Sequence, residues 1–135
     1  MAYDQATLEK GVIPYLTLDG ASDASAFYQK AFGAKEITRT PMQDGKRLMH
    51  CRMEINSGLL MMTDAMPERD LGWQPSHSYT MQLIVDDIDA WFKRAVDAGA
   101  TVVNPVEKMF WGDRWGSLKD PFGVQWAMNE NAKPA

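Results

Sequence analysis

Three side chains that are able to do chemistry alternate along one predicted strand, residues 47–55. His50, Arg52 and Glu54 are each separated by one residue, and the residues flanking them are apolar: Met49, Cys51, Met53 and Ile55. Successive strand residues point to opposite sides, so we expect the apolar residues to pack under a helix. An imidazole near a carboxylate is able to act as a general base, which makes His50 and Glu54 candidate catalytic residues, with His50 and Arg52 as ligand contacts. A solvated row of charges is the alternative, and we favour it.

The run 109–115 is the second candidate site, because it reads MFWGDRW. It places Phe110 and Trp111 close to Arg114 at the start of a predicted strand. A guanidinium binds anions and stacks on aromatic rings, so these residues are candidate ligand contacts. An equally good alternative is that the aromatic rings fill a core or a dimer interface. Trp73, in a charged loop, is a further candidate that would cover a ligand or pack on a partner.

A repeat determines the elements that must position these residues. The pairs Phe27-Tyr28 and Trp91-Phe92 are 64 residues apart, and Gly58 lies 65 residues before Gly123. A near-constant offset indicates two copies of one unit. We place unit one at about 11–64, a linker at 65–76 and unit two at about 77–129, within a single domain over 1–135.

Apolar periodicity and turn residues predict the same element order in each unit: strand, helix, then three strands. The predicted strands are 12–19, 35–40, 47–55, 59–64, 77–86, 101–109, 114–119 and 124–129. The helices are predicted at 21–32, begun by a Ser22 or Asp23 cap and ended by Gly33, and at 87–98, with Gly99 as cap and a buried stripe that includes Trp91. Pro105 restricts its strand to an edge or a bulge. The fold class is therefore α+β, with two tandem β-α-β-β-β units that form an open, curved sheet around a central cleft.

Composition excludes several functions. The net charge of -4 gives no electrostatic footprint for nucleic acid. No apolar run approaches the roughly 20 residues that span a membrane, and the N-terminus has no basic and apolar signal. The single cysteine, Cys51, cannot form an internal disulfide and is expected to be an inert core thiol. We therefore expect a cytoplasmic protein with neither a nucleic-acid nor a membrane partner.

Several motifs together resemble the vicinal oxygen chelate superfamily, which includes glyoxalase I, bleomycin-resistance proteins and extradiol dioxygenases. They are FYQKAFGA at 27–34, DGK at 44–46 and WGDRWGSLKDPFG at 111–123. The last motif and the PYL strand at 14–16 are most similar to its PhnB-like branch. The resemblance covers roughly 11–129 and implies the fold more than the reaction. It also implies a homodimer. The methyltransferase activity sometimes attached to that branch is not expected, because no glycine-rich nucleotide loop is present.

The resemblance implies positions for a divalent metal, on the first and last strands of each unit. Counting from the motifs places them near Ile13, Met62, Thr80 and Ala127. Hard metals need carboxylate or imidazole ligands, and none of these residues provides one. We therefore expect no metal and no cofactor, with Met62 and Thr80 as contacts of the ligand instead.

Two functions from different classes remain. The first is a metal-free protein that binds a small apolar or aromatic molecule in the cleft between the units. The alternative is a metal-dependent lyase, isomerase or dioxygenase of the same superfamily, with its ligands at shifted positions such as His50 and Glu54. A third, less favoured reading is a structural dimer whose cleft is vestigial.

Overall fold

The computed structural model of the chain describes residues 10–134. Our prediction that the N-terminus carries no signal sequence concerns a segment outside the described residues. We number the elements in chain order. The strands are β1 Tyr15–Leu18, β2 Lys35–Pro41, β3 Leu48–Ile55, β4 Gly58–Asp64, β5 Met81–Ile84, β6 Thr101–Lys108, β7 Arg114–Lys119 and β8 Gln125–Glu130. The helices are α1 Ala21–Phe32 and α2 Ile88–Ala98, with a 3-10 turn at Pro67–Arg69.

The chain divides into two compact units, the first containing residues 10–29 and 33–74 and the second residues 30–32 and 75–134. Their boundary after residue 74 lies inside the predicted linker. Each unit contains one four-stranded sheet, of order β1-β4-β3-β2 in the first and β5-β8-β7-β6 in the second. In both sheets the first strand pairs in parallel with the last, and the other pairs are antiparallel. The predicted α+β fold with repeated β-α-β-β-β units is confirmed.

Helix α1 begins at a glycine rather than at a polar cap. Gly20 is the N-cap residue with φ of 105°, and neither Ser22 nor Asp23 caps the helix, so that prediction was wrong. The carboxylate of Asp64 replaces the cap, because its Oδ1 accepts hydrogen bonds from the backbone N–H groups of Gly20 and Ala21 at 2.8 and 2.9 Å. Gly33 ends the helix in the left-handed conformation, as predicted.

One face of the first sheet is covered by α1. Cys51 and Met53 are fully buried on β3, and Met62 is fully buried on β4. The side chain of Ser25, on α1, donates to Glu36 Oε1 of β2 at 2.8 Å, which joins the helix to this face. The predicted alternation of β3 holds except at Met49, which is 39% exposed. A register shift next to Pro41 and Leu48 explains the exception, because it turns the start of β3.

The second sheet packs against α2 in the same way. Asp87 caps this helix through its side chain, and Ile88, Phe92 and Ala95 are buried, whereas Trp91 of the predicted stripe is half-buried. A Cβ atom on Gly116 of β7 would lie 2.9 Å from Phe92 Cε2. Only a glycine therefore permits this close approach of sheet and helix.

The large side chain of Trp126 forms the centre of the second unit's core. It is 1% exposed, its ring centroid lies 4.6 Å from that of Phe32, and its indole N–H donates to Asp120 Oδ2 at 2.9 Å. Trp126 therefore faces the core. Strand β6 is an edge strand whose register shifts between Asn104 and Glu107, as Pro105 predicted.

Candidate functional site

The candidate site of the first unit is the sheet face that α1 does not cover, which we call the first open face. Tyr15 and Arg52 both pair with Met61, from the two sides of β4, so the three side chains form one row across the sheet. Tyr15 is 52% exposed and Met61 and Arg52 are half-buried. His50 lies two residues before Arg52 and faces the same way. The face therefore combines a phenol, an imidazole, a guanidinium and a thioether.

Tyr15 and His50 form a direct pair on this face. The Tyr15 hydroxyl lies 2.8 Å from His50 Nδ1, and the two ring centroids are 5.4 Å apart. Which of the two atoms donates depends on the tautomer of His50, and a Tyr15 hydroxyl that donates to Nδ1 goes with a ring proton on Nε2. The hydrogen bond orients the ring of His50, and in that tautomer Nε2–H is the group directed to a bound molecule.

His50 and Glu54 do not form the acid–base pair considered from the sequence. They share a face of β3, but four residues along a strand span about 13 Å, with Arg52 between them. Neither a direct hydrogen bond nor a shared metal ion bridges that distance. The partner of His50 is Tyr15 instead, a residue for which the sequence predicted no role. The alternation of Tyr15 with the buried Leu16 and Leu18 was the signal that could have placed it on the open face.

Met62 lies on the side of the sheet opposite to the one we predicted. It pairs with Leu16 and Cys51, is fully buried and faces α1. Met128 occupies the same place in the second unit, pairing with Leu83 and Gly116, so the offset between β4 and β8 is 66 rather than 65. Ala127 therefore corresponds to Met61, and the prediction of Met62 as a ligand contact was wrong, because its side chain is buried under α1.

The positions that the resemblance implies for a metal do not fit one. Ala127 and its counterpart Met61 provide no ligand atom suited to a hard cation, and neither do Ile13, just before β1, or the exposed Thr80, just before β5. Within residues 10–134, no group of three or more His, Cys, Asp or Glu side chains is placed to hold a metal ion.

The run 109–115 is divided between two environments. Phe110 is 98% exposed and packs edge-to-face on Trp111, which is 54% exposed, at the tip of a turn. Arg114 instead forms a bidentate ion pair with Asp89 of α2, at 2.6 and 3.0 Å. This hydrogen-bonded guanidinium holds the pKa of Asp89 below its usual range. Arg114 therefore faces α2, on the covered side of the second sheet, where it is occupied by Asp89.

Trp73 and Cys51 are two further residues singled out from the sequence. Trp73 is 41% exposed in the segment after the 3-10 turn. Cys51 is fully buried, and burial together with the nearby Glu36 carboxylate raises the pKa of its thiol to about 11. A thiol that remains protonated is a poor nucleophile, so its predicted role as an inert core residue fits this environment.

A surface depression of about 380 Å³ lies elsewhere in the second unit, beside α2. Two of its cationic groups are occupied: Lys93 is paired with Asp97 at 2.6 Å, and Arg94 Nε donates to the backbone carbonyl of Lys30 at 2.8 Å. The contact of Arg94 with the last turn of α1 is therefore structural.

No helix among residues 10–134 is long and apolar enough to cross a membrane.

Comparisons with known proteins agree with this geometry. The model of the Glyoxalase/Bleomycin resistance protein/Dioxygenase superfamily matches residues 16–128. The uncharacterized protein Mb0911c of Mycobacterium bovis is 41% identical over 132 residues, which cover 91% of this chain and 84% of that protein.

Two solved structures are similar in fold. Protein PA1353 of Pseudomonas aeruginosa superposes with a TM-score of 0.74 at 25% identity, covering 93% of this chain and 100% of that one. The PhnB protein of Bacillus cereus superposes with a TM-score of 0.72 at 14% identity, covering 90% and 100%. At 14% identity the likeness shows the fold alone.

Proposed function

Because the chain belongs to the Glyoxalase/Bleomycin resistance protein/Dioxygenase superfamily, we propose that it binds a small aromatic or apolar molecule without a metal ion. The observation that carries the proposal is the first open face. A methionine occupies the position that would have to hold a metal ligand, and the hydrogen-bonded Tyr15–His50 pair lies beside it. Binding needs shape and a few polar anchors, whereas the superfamily's metal chemistry needs ligands that Ile13, Met61, Thr80 and Ala127 do not provide.

The composition of the first open face supports one class of ligand. Met61 offers a polarisable, adaptable surface that suits aromatic rings, and the exposed ring of Tyr15 offers a second apolar wall. The guanidinium of Arg52, one strand from Met61, favours a ligand that carries an anionic group. With the Tyr15 hydroxyl donating to Nδ1, His50 provides a hydrogen-bond donor at Nε2. We therefore expect an aromatic acid to bind better than its uncharged analogue.

Methyl NMR tests this proposal, because adjacent methionines face opposite sides of the sheet. Protein labelled at the methionine methyl groups is titrated with naphthalene-2-sulfonate, an anion with an apolar aromatic ring system. The Met61 resonance should shift, while that of Met62, buried against α1, should not. Arg52→Gln should weaken binding about threefold to tenfold, the range of one charge-assisted contact at a half-buried site. Arg69→Gln, at an exposed position in the 3-10 turn, should leave the affinity unchanged.

Equal shifts of Met61 and Met62, or no shift of either, would overturn the proposed binding face. The absence of a metal requirement is tested separately by elemental analysis after dialysis against Mn, Ni, Zn and Fe. One metal ion per chain, together with binding that is abolished by a chelator, would favour the metal-dependent enzyme instead. The homodimer and the cytoplasmic location remain predictions.

A further inference from the structure

The surface depression beside α2 gathers three cations in a chain whose net charge is -4. We call it the helix depression, and the residues that line it are Lys30, Ala90, Lys93, Arg94, Asp97 and Ala98. All but the first follow one stripe of α2 at intervals of three or four residues, and Lys30 belongs to the last turn of α1. The two helices therefore form this depression, and no strand residue lines it.

Lys30 and Arg94 are brought together by the fold although they are 64 residues apart in the chain. Arg94 Nε donates to the backbone carbonyl of Lys30 at 2.8 Å, and carbonyls in the last turn of a helix lack a partner within the helix. This hydrogen bond anchors the guanidinium beside the residue that carries the ammonium group. Like charges that are held close together repel each other, so the arrangement favours an anion between them.

Only one carboxylate lines the helix depression to compensate its three cations. Asp97 is paired with Lys93 at 2.6 Å, but the two side chains are 62% and 76% exposed. Water screens an ion pair this exposed, so it contributes little. Lys30 is exposed and has no ion-pair partner among the residues that the structure describes. Its ammonium group is therefore the cation most accessible to a ligand.

The helix depression also offers apolar surface. Ala90 and Ala98 lie one turn before and one turn after Arg94 on α2, and the methylene stems of the two lysines add to their methyl groups. The volume of about 380 Å³ suits a small molecule. Alanine methyl groups between cations fit an anion that carries a compact apolar part.

A phosphate monoester matches this combination of charge and apolar surface better than a carboxylate does. Near pH 7 it carries a charge of about −1.5 to −2 and three strong acceptor oxygens. Lysine binds phosphate as a point charge, and Lys30 and Arg94 approach from different helices. A carboxylate brings a single charge to the same cations.

We infer that the helix depression is an anion-binding site, which takes a phosphate monoester with a small apolar ester group. Lys30 and Arg94 hold the phosphate, and Ala90 and Ala98 contact the ester group. The site is formed by the two helices and does not depend on the proposal for the first open face.

Alanine methyl NMR tests the inference, because Ala90 and Ala98 line the helix depression. Butyl phosphate is the probe, and pentanoate is a monoanion of nearly the same length. Butyl phosphate should shift both methyl resonances with a dissociation constant on the order of millimolar, as expected for a small ligand. It should leave Ala24, fully buried on α1, unchanged. Pentanoate should bind at least about threefold more weakly, because it carries a single charge.

Two substitutions change the charge of the helix depression in opposite directions. Lys30→Gln should weaken butyl phosphate binding about twofold to fivefold, the range of one exposed ion pair. Asp97→Asn removes the competing carboxylate and releases Lys93, so it should strengthen binding by a similar factor. A gain in affinity cannot result from poor folding. Lys46→Gln, in the exposed turn between β2 and β3, is the matched control and should leave the affinity unchanged.

The inference is overturned if butyl phosphate leaves the Ala90 and Ala98 resonances unchanged at tens of millimolar. It is also overturned if pentanoate binds equally well, or if Asp97→Asn binds butyl phosphate more weakly than the wild type. Inorganic phosphate lacks the butyl group and should bind at least about threefold more weakly, so equal affinity would reject the monoester in favour of the free ion. The Met61 methyl resonance, followed with naphthalene-2-sulfonate, reports on the first open face alone, so the two proposals can fail separately.

Discussion

The hydroxyl of Tyr15 and Nδ1 of His50 lie 2.8 Å apart although β4 separates their strands. The hydrogen bond therefore spans the width of a strand, above Met61. The hydrogen bond holds the rings of Tyr15 and His50 in one arrangement, with their centroids 5.4 Å apart.

Substitution of Tyr15 by Phe removes this hydrogen bond and keeps the ring. We expect His50 to lose its preference for the Nε2–H tautomer, because no donor remains at Nδ1. Long-range 1H–15N spectra of the imidazole measure the two tautomers directly. The free energy of unfolding should fall by no more than about 1 kcal/mol, since the pair is exposed. An unchanged tautomer ratio would show that Tyr15 does not orient His50.

Asp64 should be the carboxylate on which the first unit depends most for stability. It is 4% exposed, and besides the two N–H groups at the start of α1 its Oδ2 accepts from the Leu48 backbone N–H at 2.7 Å. Asp64→Ala leaves three donors without this acceptor and should lower the free energy of unfolding by about 3 kcal/mol or more. Asp64→Asn keeps one acceptor atom and should cost less. Urea unfolding measures both, with Asp19→Asn, on the exposed surface, as the control; equal stabilities for all three variants would contradict this role.

Gly116 should not tolerate a methyl group. A Cβ atom added there would lie 2.9 Å from Phe92 Cε2, 3.0 Å from Val106 Cγ2 and 3.2 Å from the backbone oxygen of Asn104. The last of these cannot move as a side chain does, so Gly116→Ala should cost about 1–3 kcal/mol of unfolding free energy. At Gly72 nothing lies within 4 Å of an added Cβ, and Gly72→Ala should change stability by less than about 0.5 kcal/mol. Thermal unfolding of the two variants distinguishes them, and a Gly116→Ala protein as stable as the wild type would show that the sheet and α2 can separate freely.

Cys51 should make the protein less stable in alkali. Its thiol pKa is about 11 in the folded protein and about 8.5 when unfolded. Below about pH 8.5 the thiol is protonated in both the folded and the unfolded protein, so its contribution to the free energy of unfolding is present in full. As the pH rises toward 11, the unfolded thiol ionises while the folded one does not, so the stability falls. The difference between wild type and Cys51→Ala, measured by urea unfolding from pH 8 to 10.5, should decrease along this window; a constant difference would mean that the folded thiol ionises normally.

The sequence by itself determined the repeat, the element order and the fold. Local patterns carry that information: Phe27-Tyr28 and Trp91-Phe92 mark the helices, Gly33 ends one of them, and alternation along β3 separates His50 and Arg52 from Cys51 and Met53. The superfamily prediction rested on the motifs at 27–34, 44–46 and 111–123, and the match over residues 16–128 confirms it.

Only the tertiary structure decided which side chains meet. Tyr15 reaches His50 across an intervening strand, Asp64 caps a helix 43 residues away, and Arg114 is held by Asp89. Pairing register is fixed by contacts between strands distant in sequence, and a slip of one residue turns a side chain to the other face. For that reason the sequence placed Met62 where Met61 lies, although the strand itself was correctly predicted.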